Sequence, residues 1–384
     1  MTDPRPWDVL VIGSGPAGIS ASLAAAECGA KVALMDAQGR PGGQLWNRSA
    51  ARGTRQAERW LDRLRQSDVA CFFGTQAVEF PVHGVVLAES ENQSILLSWS
   101  KLIIAAGARE LFLPFPGWTL PNVCGAGGLQ ALIKAGLEVR ERRIVVAGSG
   151  PLLWSAASTA REHGAEVAAI AEQAPASALA RFSLGLIARP SKLLEAARLR
   201  LQLAGVPVRT GTWPVHASGA DRVHEVELTD GRTRWIERCD YLACAFGLVP
   251  QLELPLLLGC ELDGDAVRVD EWQRTSMTDV FCAGEATGVG GVQKALEEGL
   301  VAGYVAAGRQ DRARSRFARR ARAQRFAAAL SRTFALRGEV KALASADTIV
   351  CRCEDVSRAR LKGFRSWREA KLLTRCGMGA CQGR

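Results

Sequence analysis

Val9-Leu10-Val11-Ile12-Gly13-Ser14-Gly15-Pro16-Ala17-Gly18, close to the start of the chain, decides the fold. The four residues before the first glycine are apolar and mostly β-branched, as in a strand buried on both faces of a parallel sheet. Gly13 allows a tight turn after that strand. Gly15 lets the backbone come close to a pyrophosphate, and Gly18 lets the next helix pack on the strand. That helix, expected over 19–27 and rich in alanine, offers unpaired N–H groups and a partial positive charge to phosphate. Gly29 and a second strand over 31–35 follow, and Asp36 stands 23 residues after Gly13, near the ~20-residue spacing of a ribose-binding acid. A glycine triplet alone is a weak signal; set between strand, helix, strand and acid, it predicts a dinucleotide site.

The pattern recurs. Arg143-Ile144-Val145-Val146-Ala147-Gly148-Ser149-Gly150-Pro151 is followed by a predicted helix over 152–163, Gly164, and a strand over 166–171 that ends at Glu172. One chain therefore carries two nucleotide-binding folds. In the second copy Leu153 stands at the third-glycine position and Trp154 follows it, which separates helix from strand and narrows the room for a pyrophosphate. Two readings stay open: a scaffold that no longer binds nicotinamide nucleotide, or a working second site on Gly148, Gly150 and Glu172. An acid at 172 disfavours a 2′-phosphate, so NADP is the less expected ligand. Residues 101–109 and 240–247 are further apolar strands running into small-residue turns. Each is expected to end its Rossmann unit, with prolines at 114, 116, 121 and 250 marking the crossings. A short strand, Asp279-Val280-Phe281-Cys282-Ala283-Gly284-Glu285, precedes a small-residue helix over about 292–307.

Length and composition fit this reading. A chain of 384 residues has room for two or three domains. The apolar content, 48%, is ordinary for a globular protein. No uninterrupted apolar run is long enough to span a bilayer, and no signal peptide precedes the first strand, so a cytoplasmic location is expected. Most of the eleven cysteines, among them Cys28, Cys71, Cys244 and Cys282, sit singly in apolar stretches, which suits reduced buried thiols. The net charge of +10 concentrates in Arg309, Arg312, Arg314, Arg316, Arg319, Arg320, Arg322 and Arg325. No aromatic platform or nucleic-acid module accompanies this run. A basic helix, solvated or docked on a partner, is favoured over nucleic-acid binding. Phe326, Leu330 and Phe334 give its end an apolar face at helical spacing. His83, His163, His216 and His224 are scattered on polar segments, so no acid–base residue is assigned.

These motifs in this order resemble the two-dinucleotide-binding-domain flavoproteins, the glutathione and thioredoxin reductase-like superfamily, over about residues 7–307. The resemblance implies an α/β chain of two nested Rossmann-like dinucleotide-binding domains, the FAD/NAD(P)-binding fold, with a small C-terminal helical cysteine module. The implied domains are 1–115, the first part of an FAD-binding domain; 116–247, an inserted NAD-type Rossmann domain; 248–307, the rest of the FAD domain; 308–345, a basic helical linker; and 346–384, the cysteine module. It further implies that Gly13, Gly15, Pro16, Ala17 and Gly18 hold the FAD pyrophosphate and Asp36 the adenosine ribose. Gly42, Gly43 and Gln44 would lie along the cofactor, Val78 near the adenine, and Gly107 at the crossing strand. Gly284 and Glu285 would meet the ribityl chain, Glu285 replacing the more usual aspartate. The redox-active Cys-x-x-Cys of the disulfide reductases is absent from the first domain and the insert. Cys124 stands alone, so dithiol–disulfide chemistry is not expected.

Near the C-terminus Cys351-Arg352-Cys353 and Cys376-Gly377-Met378-Gly379-Ala380-Cys381 form two close pairs joined by a charged helix. Two such pairs can supply the four thiolates of an iron–sulfur cluster. The stretch looks like the bacterioferritin-associated-ferredoxin type of [2Fe–2S] module, with Cys351, Cys353, Cys376 and Cys381 as the implied ligands. The resembled family places a cysteine shortly after Cys-Gln-Gly-Arg, where this sequence stops; either the sequence is truncated, the favoured reading, or Cys376 serves as the fourth ligand. A zinc site and four unrelated cysteines are the alternatives. With the flavoprotein body, the module resembles the alpha subunits of opine oxidases, of D-hydroxyproline and proline dehydrogenases, and of hydrogen cyanide synthase. In those complexes a beta subunit related to D-amino-acid oxidase oxidises the Cα–N bond of an amine, and electrons pass through flavin and iron–sulfur centres to a membrane acceptor. The expected role is thus that of a flavoprotein electron conduit, reaching a membrane only through partners. The rivals are a self-sufficient NAD(P)H-dependent flavin oxidoreductase, an insert that binds ATP or another nucleotide structurally, and a cysteine-based redox sensor.

Overall fold

The computed structural model describes residues 5–46 and 55–382, which divide into two compact units. The first comprises Met1–Arg109 and Leu248–Ser331, the second Glu110–Gly247 and Arg332–Arg384.

The first unit is built on β1 (Arg5–Ile12), β2 (Val32–Asp36), β3 (Ala70–Phe73), β4 (Gln76–Val82), β5 (Val85–Glu89) and β6 (Ser94–Ile104), in the order β3-β2-β1-β6-β5-β4. A further strand, Val280–Cys282, pairs with β6. Strands β2, β1, β6 and Val280–Cys282 run parallel, and Met35, Ile12, Ile104 and Cys282 lie in register across them. Their carboxyl ends therefore share one edge of the sheet, where ligands of open α/β sheets bind. The earlier half of β6 pairs antiparallel with β5, and β5 with β4, a meander that the sequence reading passed over. Val9, Leu10, Val11, Leu102, Ile103 and Ile104 are fully buried, which accounts for their continuous apolar run. Helix α1 (Pro16–Ala26) packs on the Val292–Ala306 helix through Gly299 and Gly303. A Cβ on either glycine would lie 2.2 Å from a backbone oxygen, of Ala17 or Ala21 respectively.

The second unit has a five-stranded parallel sheet in the order Val208–Thr210, Glu166–Glu172, Arg143–Gly148, Tyr241–Ala245, Val123–Gly125. A separate antiparallel sheet joins Trp213–Ser218, Glu225–Thr229 and Arg234–Arg238. Residues after 332 belong to this unit, and Val340 is fully buried in a core with Trp213, Val226, Leu228 and Phe246. The chain then forms a hairpin, Ile349–Cys351 with Val356–Ser357, and a helix, Trp367–Thr374. Ser366 caps that helix by accepting from the Glu369 amide, and Arg375 ends it at φ 63°. Among the described residues no helix is long and apolar enough to cross a membrane.

Candidate functional site

The first glycine loop leaves β1 at the shared sheet edge. A Cβ on Gly13 would fall 2.3 Å from the Ala105 carbonyl oxygen, and one on Gly18 1.7 Å from that of Gly13. Turn, helix and crossing strand are therefore packed backbone to backbone. Gly15 is the exception: nothing lies within 4 Å of the place its Cβ would take. That gap, beside the uncapped N-terminus of α1, is the cradle a pyrophosphate needs.

The neighbouring groups converge on the same loop. Asp36 Oδ2 accepts from the Ser14 amide at 2.6 Å and the Ser14 hydroxyl at 2.7 Å, and Oδ1 from the Gln38 amide at 2.8 Å. Its carboxylate is thus held rigidly at the end of β2. The Gly42 amide donates to the Ser14 carbonyl, and Gly43 lies directly against Gly15. Gly284, at φ 86°, packs on Ala17, whose Cβ would be 2.7 Å from an added methyl. Gly107 follows β6 at φ 79° and accepts from the Gln251 amide. Gln44 is exposed on the short Gly43–Trp46 helix. Val78 is exposed on β4, in the antiparallel part of the sheet, three residues after Thr75, whose amide donates to the Asp36 carbonyl.

Glu285 is placed differently from the simplest expectation. Its carboxylate accepts from the Gly291 amide at 2.7 Å and faces the Gly290 amide, at the start of the Val292–Ala306 helix. Burial pushes its acid up, against those backbone bonds. Any contact with a ribityl chain would compete with them. Two residues that the sequence reading missed support Gly284. Lys294, 5% exposed, donates to the Gly284 carbonyl, the Thr287 hydroxyl and Glu298 Oε2, each at 2.8 Å. Glu298, 1% exposed, in turn accepts from the Gly284 amide. Their signal was a lysine and a glutamate four apart on a helix of small residues.

The second loop has the same plan and a different occupant. A Cβ on Gly148 would meet the Ala245 carbonyl oxygen at 1.9 Å, as Gly13 does Ala105. Glu172 closes on the loop, its Oε2 accepting from the Gly150 amide at 2.7 Å and its Oε1 from the Ala174 amide. Burial raises Glu172 to about 7, opposed by those backbone bonds and by Ser149. Leu153 is fully buried in the unit's core, so the helix is fixed at side-chain distance from the strand. The sequence expectation that Phe334 extends a helical apolar face fails: the helix ends at Thr333, and the Phe334 ring lies 3.8 Å from where a Gly150 Cβ would be.

Cys351 and Cys376 are buried, Cys353 and Cys381 exposed. The Cys376 thiol is pushed up by burial and then by the Cys351 thiol, to which it is hydrogen-bonded. Cys353 is drawn down by the Cys381 amide but carried up overall by its bond to the Cys381 thiol and by burial. The Gly377 amide donates to Cys351 Sγ at 3.3 Å. Cys351 and Cys381 each act on both Cys353 and Cys376, so the four thiols lie within electrostatic range of one another, while among the described residues no group of three or more His, Cys, Asp or Glu is arranged to hold a metal. Burial, then the charge of Glu110, raises Cys124 to about 12, which disfavours the nucleophilic thiolate. Cys71, expected to be buried, is exposed on the edge strand β3. Two members of the arginine run are docked: Arg316 pairs with Glu297 at 2.7 Å, and Arg320, 8% exposed, donates to the Glu271 carbonyl, while Arg312, Arg314, Arg319, Arg322 and Arg325 are exposed.

Two Rossmann folds, the first with an open phosphate cradle, define an FAD-dependent oxidoreductase. The chain belongs to the pyridine nucleotide-disulphide oxidoreductase family, whose model matches residues 7–299. It is similar to an opine oxidase subunit of Rhizobium meliloti, 34% identical over 98% of this chain and 90% of that one. It is also 30% identical to hydrogen cyanide synthase subunit HcnB of Pseudomonas aeruginosa, over 98% of this chain and 90% of that one. Both relatives are subunits of larger assemblies by name. L-proline dehydrogenase from P. horikoshii shares the fold, with a TM-score of 0.68 over all of this chain and 72% of that one at 18% identity. So does T. acidophilum thioredoxin reductase, at 0.61 over 79% of this chain and 98% of that one, with 20% identity.

Proposed function

We propose that this chain is the FAD-carrying electron-transfer subunit of a heteromeric dehydrogenase acting on an opine, proline or hydroxyproline type of substrate. Its partner would be a chain related to D-amino-acid oxidase, which holds the amine. FAD, when bound, supplies the redox chemistry. The protein's part is to hold the pyrophosphate over Gly15 and the N-terminus of α1, to fix Asp36 through Ser14 for the ribose, and to set Gly284 through Lys294 and Glu298. One observation carries this reading: nothing lies within 4 Å of the place a Gly15 Cβ would take, whereas at the second loop the Phe334 ring stands 3.8 Å from that of Gly150 and Glu172 takes the Gly150 amide. A chain so built takes flavin but receives its electrons from a partner rather than from NAD(P)H. The same contacts weigh against a structural ATP in the insert. Cys351, Cys353, Cys376 and Cys381 are proposed as ligands of a [2Fe–2S] centre; iron and acid-labile sulfide counted per chain test that part separately.

The main test is an anaerobic titration of the flavin-loaded chain with NADH. A flavin band that ignores NADH is expected. Prompt bleaching would make the chain a self-sufficient NAD(P)H-dependent flavin oxidoreductase instead.

A further inference from the structure

Residues 334–337 contact the second loop at Ser149 and the end of its acid-bearing strand at Gln173. The Ser149 hydroxyl donates to the Phe334 carbonyl at 3.0 Å. Gln173 Nε2 donates to the Ala335 carbonyl at 3.1 Å and to Ser149 Oγ at 2.9 Å, while Gln173 Oε1 accepts from the Arg337 amide at 3.2 Å. Gln173 is fully buried and Ser149 is 5% exposed, so these are interior bonds. The Phe334 ring meets Phe182 edge-on at 5.6 Å, and the Arg337 guanidinium lies 4.8 Å from the Trp213 ring centre. Leu336 and Leu343 pack on the core that contains Val340. The Gly150 amide, a donor for phosphate in a working loop, is taken by Glu172.

We infer that the second nucleotide loop is a peptide-binding site whose ligand is this chain's own segment 334–337. The segment's carbonyls take the Ser149 hydroxyl and the Gln173 side-chain amide, Glu172 takes the Gly150 amide, and the Phe334 ring stands in van der Waals range of the Gly150 approach. A nucleotide fold that has lost its third glycine thereby gains a structural use. It anchors the connection to the C-terminal cysteine module, which the Trp118 indole N–H, donating to the Ile349 carbonyl at 2.6 Å, and Arg352, donating to the Thr119 carbonyl, tie to the same unit.

Amide hydrogen exchange on the full flavin-loaded chain tests this. With NADH, ATP or ADP at about 1 mM, enough to half-fill a site of millimolar Kd, exchange at residues 148–150 and 333–337 should not change. In Phe334→Ala and in the milder Ser149→Ala, exchange at 334–337 should rise by roughly tenfold, as for a local opening that has lost a side-chain anchor, while flavin absorbance per chain stays the same. Protection of the loop by any of the three nucleotides would overturn the inference. So would unchanged exchange in Ser149→Ala together with unchanged exchange in a folded Gln173→Ala. None of these outcomes depends on whether NADH bleaches the flavin.

Discussion

A Cβ placed on Gly18 would come within 1.7 Å of the carbonyl oxygen of Gly13, while one placed on Gly15, three residues earlier, would meet nothing within 4 Å. The two glycines are therefore required for different reasons, and their substitutions should separate. Gly15 has φ −72°, which alanine adopts freely. Gly15→Ala should fold with a Tm within about 4 °C of the parent, equivalent to ~1 kcal/mol, yet lose flavin by roughly tenfold or more, because its methyl occupies the phosphate approach. Gly18→Ala should lose both stability and flavin. Thermal melts alongside visible absorbance per chain distinguish the two. A Gly15→Ala chain with full flavin would remove the first loop from the site.

Lys294 and Glu298 make a nearly solvent-free ion pair beneath Gly284. Removing one partner of such a pair leaves a buried charge and costs about 3–5 kcal/mol, whereas replacing both with apolar groups costs much less. Lys294→Met should therefore lower the unfolding free energy by that amount and release flavin on mild warming. Lys294→Met with Glu298→Leu should recover most of the loss. Urea unfolding of the parent, both single variants and the double variant gives the coupling directly. Additive effects would mean that the pair does not act as a unit.

Much of this was legible in the sequence, and the remainder was hidden for a common reason. Gly13, Gly15 and Gly18, Asp36, and their counterparts Gly148, Gly150 and Glu172 lie within about two dozen residues of one another, where spacing alone encodes the turn and the acid. Leu153, at the third-glycine position, marked the second loop as different from the first, and it is buried in that unit's core. What packs on that loop was invisible, because Phe334 lies 185 residues beyond Ser149 and its helical spacing with Phe326 and Leu330 suggested another use. Glu285 was read by its place after Gly284, but tertiary folding brought the Gly290 and Gly291 amides to its carboxylate. Within the arginine run, expected to be solvated or docked on a partner, the internal bonds of Arg316 and Arg320 were hidden because sequence does not show that Glu297 and the Glu271 carbonyl stand opposite them.

Glu172 should make the second unit pH-sensitive. Burial raises its acid from 4.5 to about 7 in the folded chain. The unfolded chain ionises first as pH rises, so between about 4.5 and 7 the folded state holds more proton, and stability falls with rising pH. The full effect is about 3 kcal/mol, present below the unfolded value and lost above the folded one. Glu172→Gln should flatten this slope while retaining an acceptor for the Gly150 amide. Tm measured from pH 5 to 8 for both chains decides it; parallel profiles would show that Glu172 is ionised throughout.

Thiol labelling should sort the cysteines by environment. Burial, helped by Glu110, raises Cys124 to about 12, and burial with the Asp240 charge raises Cys239 to about 12. Cys244 and Cys282 are also buried and raised well above the usual thiol range. At pH 8 a thiol of pKa 12 is thiolate in about one molecule in ten thousand, so these four should react only on unfolding. Cys353 and Cys381 are exposed and, in iron-free chain, should react well before these four, as should the exposed Cys71. Timed alkylation read by mass spectrometry gives the order. If Cys124 labelled as fast as Cys353, a reactive thiol would stand in the second unit, and the thiol redox chemistry set aside for want of a Cys-x-x-Cys would have to be reconsidered at that residue.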